Sequence, residues 1–130
     1  IERITETMPH LTRMLWMLTL IDGSRHRQWI TAMGTLPALE RTAHLICELG
    51  MRMTRDGTTP PRSVHLPITQ IEFAETLGLS AVHTNRTIQT LKARGLITWV
   101  RDEVGILDWE GLIRLGDFDP AFLHYEKIRR

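Results

Sequence analysis

Residues 1–35 carry apolar positions at helical spacing and read as one long helix, with Pro9 in a first turn where its missing N–H costs nothing and no further proline until Pro37. Leu11, Leu15, Leu18, Asp22, Arg25, Trp29 and Met33 fall at alternating steps of about four and three, the seam of a coiled-coil-like pair. Met14, Trp16, Met17, Leu20 and Ile21 lie off that seam, so the first half is apolar nearly all round and calls for two partners. A second copy of the chain is the expected occupant of one side, and a domain outside these residues of the other.

Gly34 to Pro37 predicts a break, with Gly34 closing one helix, Thr35 or Leu36 capping the next and Pro37 opening it. The second helix is expected to reach about Met53, with Leu39, Ala43, Ile46, Cys47 and Gly50 on one stripe, where Cys47 is a small core residue. Thr54 to His65 is a loop by composition. Leu66–Ile68 reads as extended, and Thr69-Gln70-Ile71-Glu72 is a capping box opening a helix to Leu77. Gly78 turns the chain, Leu79 plugs the turn, and Ser80 caps a helix running to about Ala93. Beyond Gly95, Ile97–Val100 and Val104–Leu107 alternate as two strands, joined by a turn from Arg101 to Glu103 with Gly105. Asp108 and Asp119 are expected N-caps of two short closing helices.

Helix, glycine turn, helix and hairpin together predict a mainly α fold, a winged helix-turn-helix with a small β-hairpin wing over residues 36–130, preceded by a dimerisation helix over 1–35. In such a unit the second helix enters the DNA major groove. On residues 81–93, Thr84, Ile88 and Leu91 share an inner face, while Val82, Asn85, Arg86 and Gln89 share the outer one. Asn and Gln match an adenine edge, and Arg a guanine edge, through paired hydrogen bonds, whereas Val82 offers a methyl surface for thymine. Thr69, Gln70, Ser80, His83, Lys92, Arg94 and Arg101 are the candidate phosphate contacts. Leu11, Leu15, Leu18, Asp22, Trp29 and Met33 are the candidate dimer contacts.

Charge sharpens this picture. The 130 residues sum to a net charge of only +1. Yet Ser80 to Arg101 holds four basic residues and no acidic one, a local +4, and residues 102–130 carry −3. The positive field thus falls where a phosphate backbone would lie. With 42% hydrophobic and 24% charged residues the chain is expected to form a folded core. The lone Cys47 admits no internal disulfide, and the histidines never recur at zinc-ligand spacings, so no metal site is expected. No nucleophile–base pair or phosphate-cradling glycine loop signals an enzyme. Asp108, Glu110, Asp117 and Asp119 are read as caps and surface groups. Trp99 and Trp109 are expected to pack the wing. The run from Leu11 to Ile21 is too short and interrupted to span a bilayer. A winged helix that contacts a polypeptide instead of DNA remains the alternative.

The stretch LPITQIEFAETLGLSAVHTNRTIQTLKARGLI, residues 66–97, resembles the DNA-binding signature of the Crp/Fnr family of bacterial transcription regulators. Thr69, Leu77-Gly78-Leu79-Ser80, Arg86, Leu91 and Gly95-Leu96-Ile97 carry the likeness, with a fainter match at Glu40–Leu45. The resemblance implies a cytoplasmic regulator that binds pseudo-palindromic promoter DNA as a homodimer, with RNA polymerase as a further partner and Arg86 on a guanine. Where many members place an acidic residue, this chain has Val82. The family's N-terminal sensor is not among these residues, in keeping with a chain that opens on Ile1. No cofactor is implied within them, and the effector stays open.

Overall fold

The computed structural model of the chain describes residues 7–54 and 59–123. Helix α1 spans Pro9–Thr35 and has Pro9 in its first turn. Of its residues only Ala32 is buried, while Leu11, Met14, Leu15, Trp16, Met17, Leu18 and Leu20 are all exposed. Its C-terminal part meets the rest of the chain: Arg25 Nη2 donates to the Leu123 carbonyl at 3.4 Å, and the Trp29 ring stands edge-on to His44 at 5.7 Å.

Helix α2 (Ala38–Met53) is the axis of the core, with Thr42 through Glu48, Gly50 and Met51 buried. Against it pack α3 (Gln70–Leu77), α4 (Ala81–Ala93) and α5 (Trp109–Gly116). The crossing of α2 and α5 is close because Gly116 has no side chain: a Cβ there would stand 2.6 Å from the His44 backbone nitrogen. His44 Nδ1 donates to the Gly116 carbonyl at 2.9 Å and fixes that crossing. Phe73, Leu77, Ile88, Leu91, Ile97 and Leu112 fill the space around α2.

Strands β1 (Ser63–His65), β2 (Ile97–Val100) and β3 (Glu103–Ile106) form an antiparallel sheet in the order β1-β3-β2. Val104 faces Val64 on one side and Trp99 on the other. All three are buried and seal the sheet onto the helices. At the tip, Arg101 takes φ 54 and its carbonyl accepts the Trp99 indole N–H at 3.0 Å. Past α5, Pro120–Leu123 form a short 3-10 turn capped by Asp119, whose Oδ1 accepts the Ala121 N–H.

Three expectations are corrected by the fold. The segment expected to be loop as far as His65 ends in β1, a third strand with a single inward apolar residue, Val64, too short to register as alternation; residues 55–58 lie outside the described region. Helix α1 continues through Gly34, Leu36 ends it by donating to the Ala32 carbonyl, and Pro37 itself is the N-cap of α2. Thr35 Oγ1 turns back to the Thr31 carbonyl and caps nothing. Gly105 belongs to β3 and not to the turn, paired with Thr98 and Ser63, and Thr98 occupies the space a side chain there would need. The helical expectation for residues 1–6 lies outside the described residues.

Candidate nucleic-acid interface

The turn between α3 and α4 is built from three local choices. At its start Thr69 Oγ1 accepts the Glu72 N–H at 3.2 Å, and Glu72 Oε2 accepts the Thr69 N–H at 2.7 Å. This reciprocal cap satisfies donors that a helix start otherwise leaves open. Hydrogen bonds from the Thr69 backbone and then its hydroxyl hold the Glu72 carboxyl below the usual carboxylate range. Gly78 then takes φ 64, a left-handed conformation natural to glycine. Leu79, half-buried against the core, donates to the Ala74 carbonyl, and Ser80 Oγ accepts the His83 N–H at 3.2 Å to open α4.

Helix α4 is held by its inner face. Ile88 and Leu91 are fully buried, and Thr84 and Thr87 are buried beside them. Thr87 Oγ1 lies 3.1 Å from Thr42 Oγ1 on α2 and donates to the Thr84 carbonyl. Thr87 was not singled out in the sequence with Thr84, Ile88 and Leu91; its contact with Thr42 reveals it. The outer face presents Val82, Asn85, Arg86 and Gln89, all exposed as expected. Shallow concavities flank it on both sides. One is lined by Gln70, Ile71, Ala81, Val82, Asn85 and Arg86, the other by Leu39, Ser80, His83, Thr87, Thr90 and again Val82 and Arg86. Val82 and Arg86 therefore form the ridge between them.

Among the described residues, no carboxylate comes within salt-bridge distance of Arg86, Lys92, Arg94 or Arg101. All four are exposed. Their charge is therefore uncompensated and available to an anionic partner. The acidic wing tip has its own counterpart: His65 Nδ1 lies 3.6 Å from Asp102 Oδ2 and from Glu103 Oε2. Ser80 uses its oxygen as an acceptor and keeps its hydroxyl hydrogen for another contact, and His83 is exposed beside it.

Two of the expected residues make contacts within the chain. Thr69, expected on a phosphate, directs both of its donors to Glu72 Oε2, the hydroxyl at 2.9 Å, as part of the cap. Trp29, expected in a dimer seam, is half-buried against His44, which in turn meets Phe118 edge-on at 5.3 Å. Leu11, Leu15, Leu18, Asp22 and Met33 are all exposed. One contact was missed outright: Asn85 Nδ2 donates to Gln70 Oε1 at 3.2 Å, linking residues fifteen apart that no spacing rule connects.

The remaining groups have structural roles. Trp99 stands edge-on to Phe73 at 5.1 Å and Trp109 to Phe118 at 6.4 Å. Asp108 Oδ1 caps α5 through the Gly111 N–H at 2.9 Å. Cys47 is buried, and burial pushes its thiol pKa far up, which leaves it unreactive. Glu48, buried on α2, pairs with Arg52. Among the described residues no group of His, Cys, Asp or Glu is arranged to hold a metal, and no helix is long and apolar enough to cross a membrane.

Residues 40–115, which hold α2 through most of α5, match the family described as the Crp-like helix-turn-helix domain. The chain is 28% identical over 99 residues to the transcriptional activator protein FnrL of Cereibacter sphaeroides, covering 74% of this chain and 40% of that protein. It therefore spans well under two thirds of that relative's length. Its fold is similar to that of FixK2 from Bradyrhizobium japonicum, with a TM-score of 0.76 and 19% identity over 88% of this chain and 56% of the other. It is also similar to TTHA1359, a transcriptional regulator of the CRP/FNR family from Thermus thermophilus, with a TM-score of 0.61 and 22% identity over 90% of this chain and 55% of the other.

Proposed function

Because the chain belongs to the Crp-like helix-turn-helix family, we propose that it is the pairing and DNA-reading part of a transcription regulator that binds pseudo-palindromic promoter sites as a homodimer. The observation that carries this reading is the outer face of α4: Val82, Asn85, Arg86 and Gln89 are exposed together, beside cations that no described carboxylate neutralises. A helix of this kind fits the major groove, and its Asn, Arg and Gln amide or guanidinium groups match base edges there. Arg86 would take a guanine. Val82 would meet a thymine methyl. Gln70, Ser80, His83, Lys92, Arg94 and Arg101 would hold the phosphates that set the register.

Residues 1–35 serve pairing and residues 36–130 serve DNA binding. The exposed apolar half of α1 supports a second copy as its partner, through Leu11, Leu15 and Leu18. The bacterial cytoplasm and a contact with RNA polymerase belong to the same proposal and rest on the family likeness. So does a purely binding role, without turnover. Selection from random duplexes tests the core of it. The expected product is a two-fold motif whose half-site centres lie about one helical turn, roughly 34 Å, apart. Steep weakening with added salt should accompany it, and a salt-independent interaction with polypeptide alone would point to a protein-binding module.

A further inference from the structure

Asn85 and Gln70 are both exposed, and each lies on a different helix of the turn. Their side chains nevertheless meet, Asn85 Nδ2 donating to Gln70 Oε1 at 3.2 Å. The bond sits in the concavity that Val82 and Arg86 also line, on the edge of the base-reading face. An exposed asparagine without a partner samples both senses of its amide. With Gln70 accepting through Oε1 one sense is selected: turned over by itself, Asn85 would set its carbonyl oxygen against that of Gln70, and only a joint reversal of both amides would restore a bond.

We propose that Gln70 is a positioning residue that fixes the amide sense of Asn85 and so determines which base Asn85 reads. The inference rests on the DNA-reading function proposed above. One Nδ2 hydrogen is committed to Gln70, leaving the second and Oδ1, the donor and acceptor that pair with N7 and N6 of adenine. With its oxygen committed to Asn85, Gln70 keeps both Nε2 hydrogens, the half of its amide that an anionic backbone favours. Gln70 therefore contributes to sequence preference without touching a base. A residue that only held a phosphate would lower the affinity for every sequence alike.

The test uses the 130-residue chain and the duplex it selects from a random pool, each base pair being replaced in turn and affinities measured for the parent, Q70A, Q70E, N85A and Q70A/N85A. Q70A should flatten the preference at the same base pair as N85A, by roughly fivefold or more. The double variant should flatten it no further than N85A. Q70E keeps an acceptor for Asn85, so it should retain the preference while binding all duplexes more weakly. Uniform weakening by Q70A with the preference intact, or flattening at a different base pair from N85A, would overturn the positioning role and leave the DNA-reading function standing. A parent chain that enriches no motif would overturn both.

Discussion

The outer face of α4 and the N-terminal half of α1 are equally open to solvent, but the chemistry they expose is opposite. Val82 on α4 is 66% exposed, and Trp16 and Leu20 on α1 are 68% and 66% exposed. Around Val82 the neighbours are Asn85, Arg86 and Gln89; around Trp16 they are Leu15, Met17 and Leu18, exposed as well. An exposed polar face costs nothing in water, whereas a contiguous apolar face is costly until it is covered. Exposure alone therefore does not identify a functional surface. On the function proposed above, the sign and polarity of what is exposed select the partner, a polyanion for α4 and a second apolar helix for α1.

The largest effect is expected on the apolar side. Leu15→Glu with Leu18→Glu places charges in the seam of α1 and should dissociate the dimer, lowering affinity for a two-fold duplex by about 100-fold or more while leaving binding to an isolated half-site unchanged. Sedimentation and titration on both duplexes would check this. Arg86→Ala attacks the polar side and should cost about 1 to 3 kcal/mol of binding while relaxing one base position, with the oligomeric state unaffected. Thr69→Ala touches neither face and acts on the turn alone: loss of the cap should lower stability by about 1 kcal/mol with base preference intact. That difference is pH-dependent. The Glu72 carboxyl is lowered in the folded state, so its contribution is full above the ordinary carboxylate range and fades as pH falls through its depressed folded value. The gap between the melting curves of parent and variant should accordingly narrow in acid without closing, because the Thr69 Oγ1–Glu72 N–H bond does not titrate. Lys92→Ala should have the smallest effect, weakening all duplexes alike and reducing the salt slope by about 1.

Much of this was legible in the sequence, and where it was, local chemistry was the reason. The Thr69–Glu72 capping box, the Gly78 turn and the Ser80 cap each depend on residues within four positions of one another, and all are found as expected. The four outward residues of α4 follow from helical periodicity. What escaped depends on long-range pairing. β1 is defined by its register with β3 and not by its own pattern. Trp29 has the spacing of a seam residue, and its ring also stands against His44, which only the tertiary fold brings to it. Thr69 shows a further limit: a helix start offers the same donors to a neighbouring carboxylate as to a phosphate, and here they meet Glu72.

The C-terminal end of α1 is clasped from two sides. Arg25 on the Leu123 carbonyl and Trp29 on His44 tie the helix to the core, and the Thr42–Thr87 contact ties α2 to α4. The axis of α1 and the axis of α4 are thereby two arms of one caliper, with α2 as the pivot block. Whatever grips the free arm, about sixteen residues or roughly 24 Å of helix, sets the aim of the other. In the proposed homodimer, the spacing of the two reading helices would follow from the angle at which the free arms cross.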